Sequence, residues 1–173
     1  MTTVYTIGHS TRSAKEFLAI LQSFSVQVVG DIRTVPRSRR NPQFEQDELR
    51  RFLAAHNIEY VHLPGLGGLR RPRRDSINTA WENASFRGYA DYMQTPEFES
   101  ALADLMSRAA QKRMVIMCAE AVPWRCHRSL VGDALLACGV AVDDIFSATS
   151  SKPHKLTAWA RVDGLQVTYP AAE

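Results

Sequence analysis

The side chains best suited to chemistry lie close together near the middle of the chain, in the segment 114–130. Residues 114–117 form an apolar run typical of a buried parallel strand. A helix with apolar periodicity follows and is predicted to end at Gly139. The connection carries two thiols, one carboxylate, one imidazole and two guanidinium groups. A helix that follows a strand directs backbone N–H groups and its positive end at the loop, which favours a thiolate there.

Cys118, at the end of the predicted strand, is the candidate nucleophile. Arg125 and Arg128 follow it, and guanidinium groups can stabilise a thiolate and bind an anionic substrate. The alternative is a structural thiol, because a free cysteine packs as a small apolar side chain. A nucleophile requires a pKa below the ordinary value of about 8.5, and a structural thiol does not.

Three other side chains are candidates for proton transfer. Glu120 lies in the loop, and Asp31 ends an earlier predicted strand. Together they could form a carboxylate pair for acid–base catalysis or for attack on a sugar carbon, or each could hold an arginine in an ion pair. His127 lies in the first turn of the predicted helix, where the helix dipole disfavours an imidazolium. We therefore expect a neutral His127 that accepts or relays a proton, or that caps the helix.

Cys118, Cys126 and His127 could instead bind a metal ion. Zinc sites in proteins use four ligands at short paired spacings, whereas seven residues separate these two cysteines. Adjacent helical residues also point about 100° apart, which hinders ligation by Cys126 and His127 together. The sequence therefore predicts no metal and no cofactor.

The overall composition predicts one globular domain over residues 1–173. Hydrophobic residues make up 45% of the chain, but no apolar run approaches the length of a membrane span. The beginning of the chain has no signal-peptide pattern, and three cysteines do not make a secreted disulfide framework. We therefore expect a cytoplasmic protein with no membrane partner, and its oligomeric state is left open.

The positive charge is concentrated in one part of the chain. The 21 basic residues comprise 17 arginines and four lysines. Between Arg33 and Arg74 there are ten arginines and four acidic residues, a net charge of +6, so the remainder carries −3 of the total +3. Guanidinium groups bind phosphate and carboxylate in a bidentate manner. This stretch favours a small anionic or nucleotide-like ligand, or a nucleic acid, although the arginines could also simply be solvated.

An aromatic segment, 78–92, follows a basic loop at 70–74. Its Trp81 and Arg87 are candidate substrate-binding residues, because aromatic rings stack on bases and arginines hold phosphates. The alternative is an aromatic face that packs on the sheet, which we favour for Phe86 and Tyr89. The chain contains no known nucleic-acid-binding motif.

The secondary structure predicted around these residues alternates between strands and helices. Strands are expected at 3–8, 26–32, 58–63, 114–117 and 140–146, with a small edge element at 156–169. Ser13 and Glu16 form a capping box for the first helix, further helices are expected at 44–55 and 86–93, and Thr95 caps another that has Pro96 at its first position. The alternation predicts an α/β fold, with a mostly parallel sheet flanked by helices on both faces.

Ligands of such sheets bind at the carboxyl ends of the strands. His9 and Ser10 follow the first predicted strand, and Asp31 and Arg33 follow the second. The turn at 64–68 and the segment from Cys118 onwards follow two others. We expect these residues to meet at one edge of the sheet.

Several segments of the chain together match a known family: 7–10, 31–33 with Pro36 and Ser38, 41–44, 66–68, 85–93 and 117–128. Their resemblance is to a bacterial family called "domain of unknown function 488". It implies an α/β fold and no particular reaction. The placement of Asp31, Arg33 and Cys118 is also similar to that of rhodaneses, which implies sulfur transfer. However, the loop here is longer than theirs and contains Glu120, Pro123 and Trp124.

We predict an enzyme that binds a small anionic or phosphorylated substrate at the strand ends. Its catalytic residues would be Cys118 as the nucleophile, with Glu120, Asp31 and His127. The candidate substrate-binding residues are His9, Ser10, Arg33, Trp81, Arg87, Arg125 and Arg128. The reaction would be sulfur, phosphoryl or acyl-like group transfer, or hydrolysis. The alternative is a protein that binds or processes nucleic acids or nucleotides with the basic stretch from Arg33 to Arg74 and Glu120.

Overall fold

The computed structural model describes residues 2–172, and its central feature is a sheet of six strands. The strands are β1 (Thr3–Gly8), β2 (Val28–Asp31), β3 (Glu59–His62), β4 (Met114–Cys118), β5 (Ala141–Ser147) and β6 (Ser150–Pro153). Their order is β3-β2-β4-β1-β5-β6; the first five are parallel, and β6 pairs antiparallel with β5. A separate hairpin joins β7 (Arg161–Asp163) to β8 (Gln166–Thr168).

Five α-helices surround the sheet, so the predicted α/β fold is confirmed. They are α1 (Ala14–Ser23), α2 (Gln46–Ala54), α3 (Ala84–Tyr92), α4 (Pro96–Gln111) and α5 (Arg128–Ala137). Short 3-10 turns occupy Pro42–Phe44, Pro64–Leu66 and Pro123–Arg125. Within residues 2–172, none of the helices combines the length and the apolar character needed to cross a membrane.

The two faces of the sheet bury separate apolar clusters. Helices α1 and α2 contribute Phe17, Leu21, Leu49 and Leu53 to one cluster, and α3, α4 and α5 contribute to the other. Side chains alternate between faces along a strand. In β4, Val115 and Met117 belong to the first cluster, and Met114, Ile116 and Cys118 belong to the second. Burial on both faces explains why the whole of β4 is apolar.

Most of the predicted helix signals are confirmed. Ser13 and Glu16 form the expected capping box of α1. The side chain of Thr95 accepts a hydrogen bond from the backbone N–H of Phe98 at the start of α4. Gly139, just beyond α5, has a φ of +78°, the left-handed conformation that often ends a helix.

Several predicted boundaries were wrong. The helix predicted at 44–55 begins at Gln46, because Pro42–Phe44 forms its own turn and Glu45 is extended. Strand β6 was not predicted, and the edge element expected at 156–169 is the hairpin β7–β8, which does not join the main sheet. The two short hairpin strands have few apolar residues, so periodicity could not identify their partners.

The chain diverges at the carboxyl ends of β2 and β4. After β2 the chain continues through α2 to β3 on one side, and after β4 it continues through α5 to β5 on the other. Neighbouring strands whose connections lead in opposite directions leave a crevice between them, and ligands bind there in open α/β sheets. Asp31 pairs with Met117, so the loop that begins after Cys118 borders this crevice.

A buried polar cluster connects β1, β5 and α5 with the residues after β6 and β8. The ring of His154 contacts the carboxylates of Asp144 at 2.9 Å and Asp133 at 3.0 Å. Asp144 also accepts a hydrogen bond from Thr6, and Asp133 accepts one from the Tyr169 hydroxyl at 2.7 Å. Burial disfavours the imidazolium, but the two carboxylates outweigh it and raise the pKa of His154 to about 9. No local sequence pattern indicates this cluster, because its members are far apart along the chain.

We expect His154 to make the stability of the protein depend on pH. Its folded-state pKa is raised from 6.5, so its contribution is fully present below about pH 6.5 and is lost as the pH rises through about 9. The shift corresponds to about 3 kcal/mol at most. The difference in unfolding free energy between the wild type and His154→Gln, measured in urea, should therefore shrink by about that amount between pH 6 and pH 10. A difference that does not vary with pH would contradict a charged His154.

Candidate active site

A cavity of about 490 Å³ opens at the crevice between β2 and β4. Cys118, Glu120, Cys126 and His127 line one side of it. Ala119 and Arg125 also belong to this side. The other residues come from the loop after β2, from the turn after β3 and from the start of α3: Arg33, Thr34, Val35, Arg37, Gly68, Leu69, Asn83, Ser85, Phe86 and Tyr89. Arg33, the turn at 64–68 and the segment from Cys118 onwards therefore meet around one cavity, whereas His9, Ser10 and Asp31 do not line it.

Arg128 is completely buried beneath this cavity. Its Nη1 lies 3.1 Å from Cys118 Sγ and donates to the carbonyl oxygen of Glu120 at 2.8 Å. Its Nη2 is 3.4 Å from the carbonyl oxygen of Ala121. In the described part of the chain, Arg128 has no carboxylate partner, and its Nε has no hydrogen-bond acceptor. Arginine stays charged in proteins and a buried charge needs compensation, so the Cys118 thiolate is its natural counter-ion.

The surroundings of Cys118 favour its thiolate. Burial, which leaves the residue 2% exposed, opposes ionisation. The hydrogen bond from Cys126 and the charge of Arg128 outweigh burial and lower the pKa of Cys118 from 9.0 to about 7. The pKa of Cys126 is raised well above its usual range, first by its hydrogen bond to Cys118 and then by burial. Above about pH 7 the pair therefore mainly holds one proton, which lies on Cys126.

His127 is neutral, and only one of its two ring nitrogens carries a proton. Its Nε2 lies 3.0 Å from the carbonyl oxygen of Ile32, which can only accept, so Nε2 carries the proton. Its Nδ1 lies 3.5 Å from Cys126 Sγ and can accept a hydrogen bond there. Burial is the main cause that lowers the pKa of His127 to about 4. The expected neutral imidazole agrees with this, although burial rather than the helix terminus is the principal cause.

Asp31 holds Arg33 rather than standing free in the cavity. Its carboxylate is fully buried and accepts from Arg33 Nε at 2.9 Å and Arg33 Nη2 at 2.7 Å. The hydroxyl of Tyr60 also donates to it. Arg33 lines the cavity, and its Nη1 lies 3.4 Å from Nε2 of His9. Asp31 is thereby placed to orient Arg33, and burial lowers the pKa of His9 to about 4.

Backbone contacts from the two residues that follow β1 hold the loop after Cys118. The N–H of His9 donates to the carbonyl oxygen of Cys118 at 2.9 Å, and the N–H of Ser10 donates to that of Ala119 at 2.9 Å. Neither His9 nor Ser10 lines the cavity. Both residues therefore hold the loop in place through their backbone, without contacting the cavity.

Glu120 contributes its backbone and its side chain differently. Its carbonyl oxygen accepts from Arg128, whereas the residue itself is exposed and lines the cavity. No hydrogen bond within residues 2–172 joins Glu120 to Asp31, so the structure does not show them as a carboxylate pair.

Trp81 and Arg87 lie outside the cavity. Trp81 stacks on Phe86 at 4.8 Å between ring centroids and also meets Trp159 and Tyr169. Arg87 Nη1 donates to the carbonyl oxygen of Trp81 at 3.2 Å. The structure therefore places both residues in an aromatic cluster rather than beside Cys118.

Half of the ten arginines between Arg33 and Arg74 have partners within the protein. The pairs are Arg33 with Asp31, Arg51 with Glu48, Arg73 with Asp75, Arg50 over Tyr60 and Arg70 over Tyr92. Arg33 and Arg37 line the cavity. The sequence pattern does not distinguish Arg37 from its neighbouring arginines and predicts no catalytic role for Cys126; only the spatial arrangement identifies both residues.

No group of three or more His, Cys, Asp or Glu side chains within the described residues is arranged to hold a metal ion. Cys118, Cys126 and His127 are neighbours, but their contacts are those of a hydrogen-bonded chain.

A family model described as "Domain of unknown function DUF488" matches residues 13–135, more than two thirds of the chain. The match includes β4 and the loop that carries Cys118, Glu120, Cys126 and His127. No curated protein and no solved structure matches the chain. The similarity to rhodaneses therefore finds no support in these comparisons.

Proposed function

The chain belongs to the DUF488 family, a domain of unknown function, and we propose from its own residues that it is a cysteine-dependent enzyme acting on a small anionic substrate. Cys118 is the nucleophile, and the substrate occupies the cavity between the ends of β2 and β4. The reaction class is group transfer, in which the sulfur of Cys118 accepts a group and then passes it on.

The contact between Arg128 and Cys118 Sγ carries this proposal. A fully buried guanidinium without a carboxylate partner in the described structure would be costly beside a neutral thiol. A purely structural cysteine has no need of such a neighbour. A thiol whose pKa lies near the ambient pH is also the most effective attacking thiol, because it is both ionised and nucleophilic.

The remaining groups of the cavity suit an anion and a proton. Arg33, Arg37 and Arg125 line it and can bind a phosphate, sulfonate or carboxylate. The exposed carboxylate of Glu120 lies at the same cavity and can accept a proton. The volume of about 490 Å³ is that of a small-molecule site, which favours this function over nucleic-acid binding. A thiolate enzyme of this kind belongs in a reducing cytoplasm.

Two matched alkylating reagents test the anion site without knowledge of the substrate. Iodoacetate is anionic and iodoacetamide is neutral, and both react with thiolates. The ratio of the iodoacetate rate to the iodoacetamide rate should be higher at Cys118 than at an exposed cysteine. Arg125→Gln should lower this ratio at Cys118 about three- to fivefold at low salt. Peptide mass mapping separates Cys118 from Cys126 and Cys138.

Arg161→Gln is the matched control, because Arg161 is exposed on the hairpin β7–β8 and does not line the cavity. It should leave the ratio unchanged. An iodoacetate rate at Cys118 that is no better than at an exposed thiol, and that is insensitive to Arg125, would refute an anion-binding site here.

A further inference from the structure

We propose that Cys126 is a second catalytic residue and that the site performs thiol–disulfide exchange with small anionic disulfides. This inference rests on the proposed function of Cys118 and deepens it by naming the substrate class. It is supported by the position of the two sulfur atoms, by the distribution of charge around them and by the arginines of the cavity.

The two sulfur atoms are in direct contact. Cys126 Sγ lies 2.6 Å from Cys118 Sγ, and the two residues are 6% and 2% exposed. The turn Pro123–Arg125 brings the chain back over the end of β4, and the N–H of Cys126 donates to the carbonyl oxygen of Pro123 at 3.0 Å. Both cysteines line the cavity. A group attached to Cys118 is therefore within reach of Cys126.

The charges around the pair determine which thiol reacts first. Cys118 is the thiolate, because Arg128 and the thiol of Cys126 stabilise its negative charge. Once Cys118 carries a substrate group, its negative charge disappears, and with it the main cause that keeps Cys126 protonated. Cys126 then faces the backbone N–H of Arg128 at 3.4 Å, which favours its ionisation.

The reaction balances with the disulfide RSSR as the oxidant. The Cys118 thiolate attacks one sulfur of RSSR, the substrate S–S bond breaks, and RS⁻ leaves. The thiol of Cys126 loses its proton to the departing thiolate and attacks Cys118 Sγ, which releases the second RS⁻. The protein then holds a Cys118–Cys126 disulfide and the substrate has become RSH and RS⁻. An external dithiol, as the reductant, returns both cysteines to the starting state.

The charge of Arg128 makes the oxidised form easy to reduce. In the disulfide neither sulfur is negative, so the buried guanidinium loses its counter-ion. Stabilisation of the reduced form makes a dithiol pair more oxidising. The external dithiol therefore reduces the Cys118–Cys126 disulfide readily, and this reduction completes the catalytic cycle.

The arginines of the cavity select the substrate. Arg33, Arg37 and Arg125 line the space in front of the sulfur atoms and favour a disulfide that carries carboxylates. Oxidised glutathione is a suitable anionic probe, and cystamine is a cationic disulfide for comparison. The measured quantity is the rate with the anionic probe divided by the rate with the cationic probe. At low salt this ratio should be about tenfold or more higher for Cys118 than for a free thiol in solution.

The test uses the full chain with Cys138→Ser, which removes the third cysteine, treated with a large excess of oxidised glutathione, because Arg128 favours the reduced form of the pair. Intact mass and peptide mapping should show a Cys118–Cys126 disulfide without bound glutathione. Cys126→Ser and Cys126→Ala should instead accumulate a stable glutathione adduct at Cys118. Thermal melting curves identify a variant that has not folded, and either variant suffices.

The outcomes separate the two proposals. If the Cys138→Ser chain stops at the glutathione adduct, as the Cys126 variants do, Cys126 is not a resolving thiol and only this inference fails. If cystamine reacts as fast as oxidised glutathione, the anionic substrate class is refuted. If Cys118 reacts with neither disulfide and its alkylation shows an ordinary thiol pKa, the proposed function fails as well.

Discussion

Replacing Arg128 by methionine is expected to slow the alkylation of Cys118 at neutral pH by up to about fifty-fold, the limit reached if loss of the charge returns the thiol pKa from about 7 to its ordinary 9.0. Arg128 is fully buried and touches Cys118 Sγ at 3.1 Å, so its charge acts in a medium with little screening. Methionine fills a similar volume without a charge. The measurement is the rate of iodoacetamide modification between about pH 5 and pH 10, fitted to a single ionisation.

Two further variants show whether the effect comes from charge. Arg128→Lys keeps the charge but loses the planar fork, so it should give an intermediate pKa of Cys118. Arg108→Met removes an arginine on the exposed face of α4, where it pairs with Asp104, and should have no effect. A folded Arg128→Met protein in which the pKa of Cys118 stays near 7 would show that Cys126 alone stabilises the thiolate.

Cys118 and His154 act on stability in opposite directions over the same pH range. The pKa of Cys118 is lowered in the folded state, so its contribution is present above about pH 9 and is lost as the pH falls through about 7. The pKa of His154 is raised, so its contribution decreases as the pH rises towards about 9. The wild-type profile therefore changes little across this range, and only differences between variants isolate either group.

The layers of the fold could be predicted from the sequence because they depend on local patterns. Apolar runs identified all five parallel strands of the sheet, and the caps at Ser13, Thr95 and Gly139 identified helix ends. The rule that ligands bind at strand ends then brought Cys118 and Arg33 to one edge, where the cavity lies. These predictions needed no long-range information.

The chemistry of the site could not be predicted in the same way. Arg128 and Arg125 are equivalent in sequence, yet one is fully buried against Cys118 and the other is exposed at the cavity. Arg125 belongs to the 3-10 turn Pro123–Arg125, whereas Arg128 is the first residue of α5. Side chains point in different directions in the two kinds of helix, so the position of the boundary between them decides which arginine points inward. The contact of Cys126 with Cys118 depends on the same turn. Side-chain direction, rather than residue type, was the missing information.

Gly8→Ala should be the most damaging small substitution in the chain. A Cβ at Gly8 would overlap the backbone carbonyl of Glu120 and approach Nη1 of Arg128 to 2.8 Å. The neighbouring atoms cannot yield cheaply, because the carbonyl is backbone and the guanidinium is buried. We expect the free energy of unfolding to fall by about 3–5 kcal/mol and the pKa of Cys118 to rise, as Arg128 is displaced.

Gly139→Ala is the matched control, because the two glycines are required for different reasons. Gly139 has a φ of +78°, and an added Cβ there meets no described atom within 4 Å, so alanine costs only about 1 kcal/mol of backbone strain. Gly8 does not have a positive φ, and its cost is entirely steric. Urea unfolding and Cys118 alkylation, measured on both variants, distinguish the two causes. If Gly8→Ala costs no more than Gly139→Ala and leaves Cys118 reactive, then the loop is not held against β1, and the position of Arg128 must have another origin.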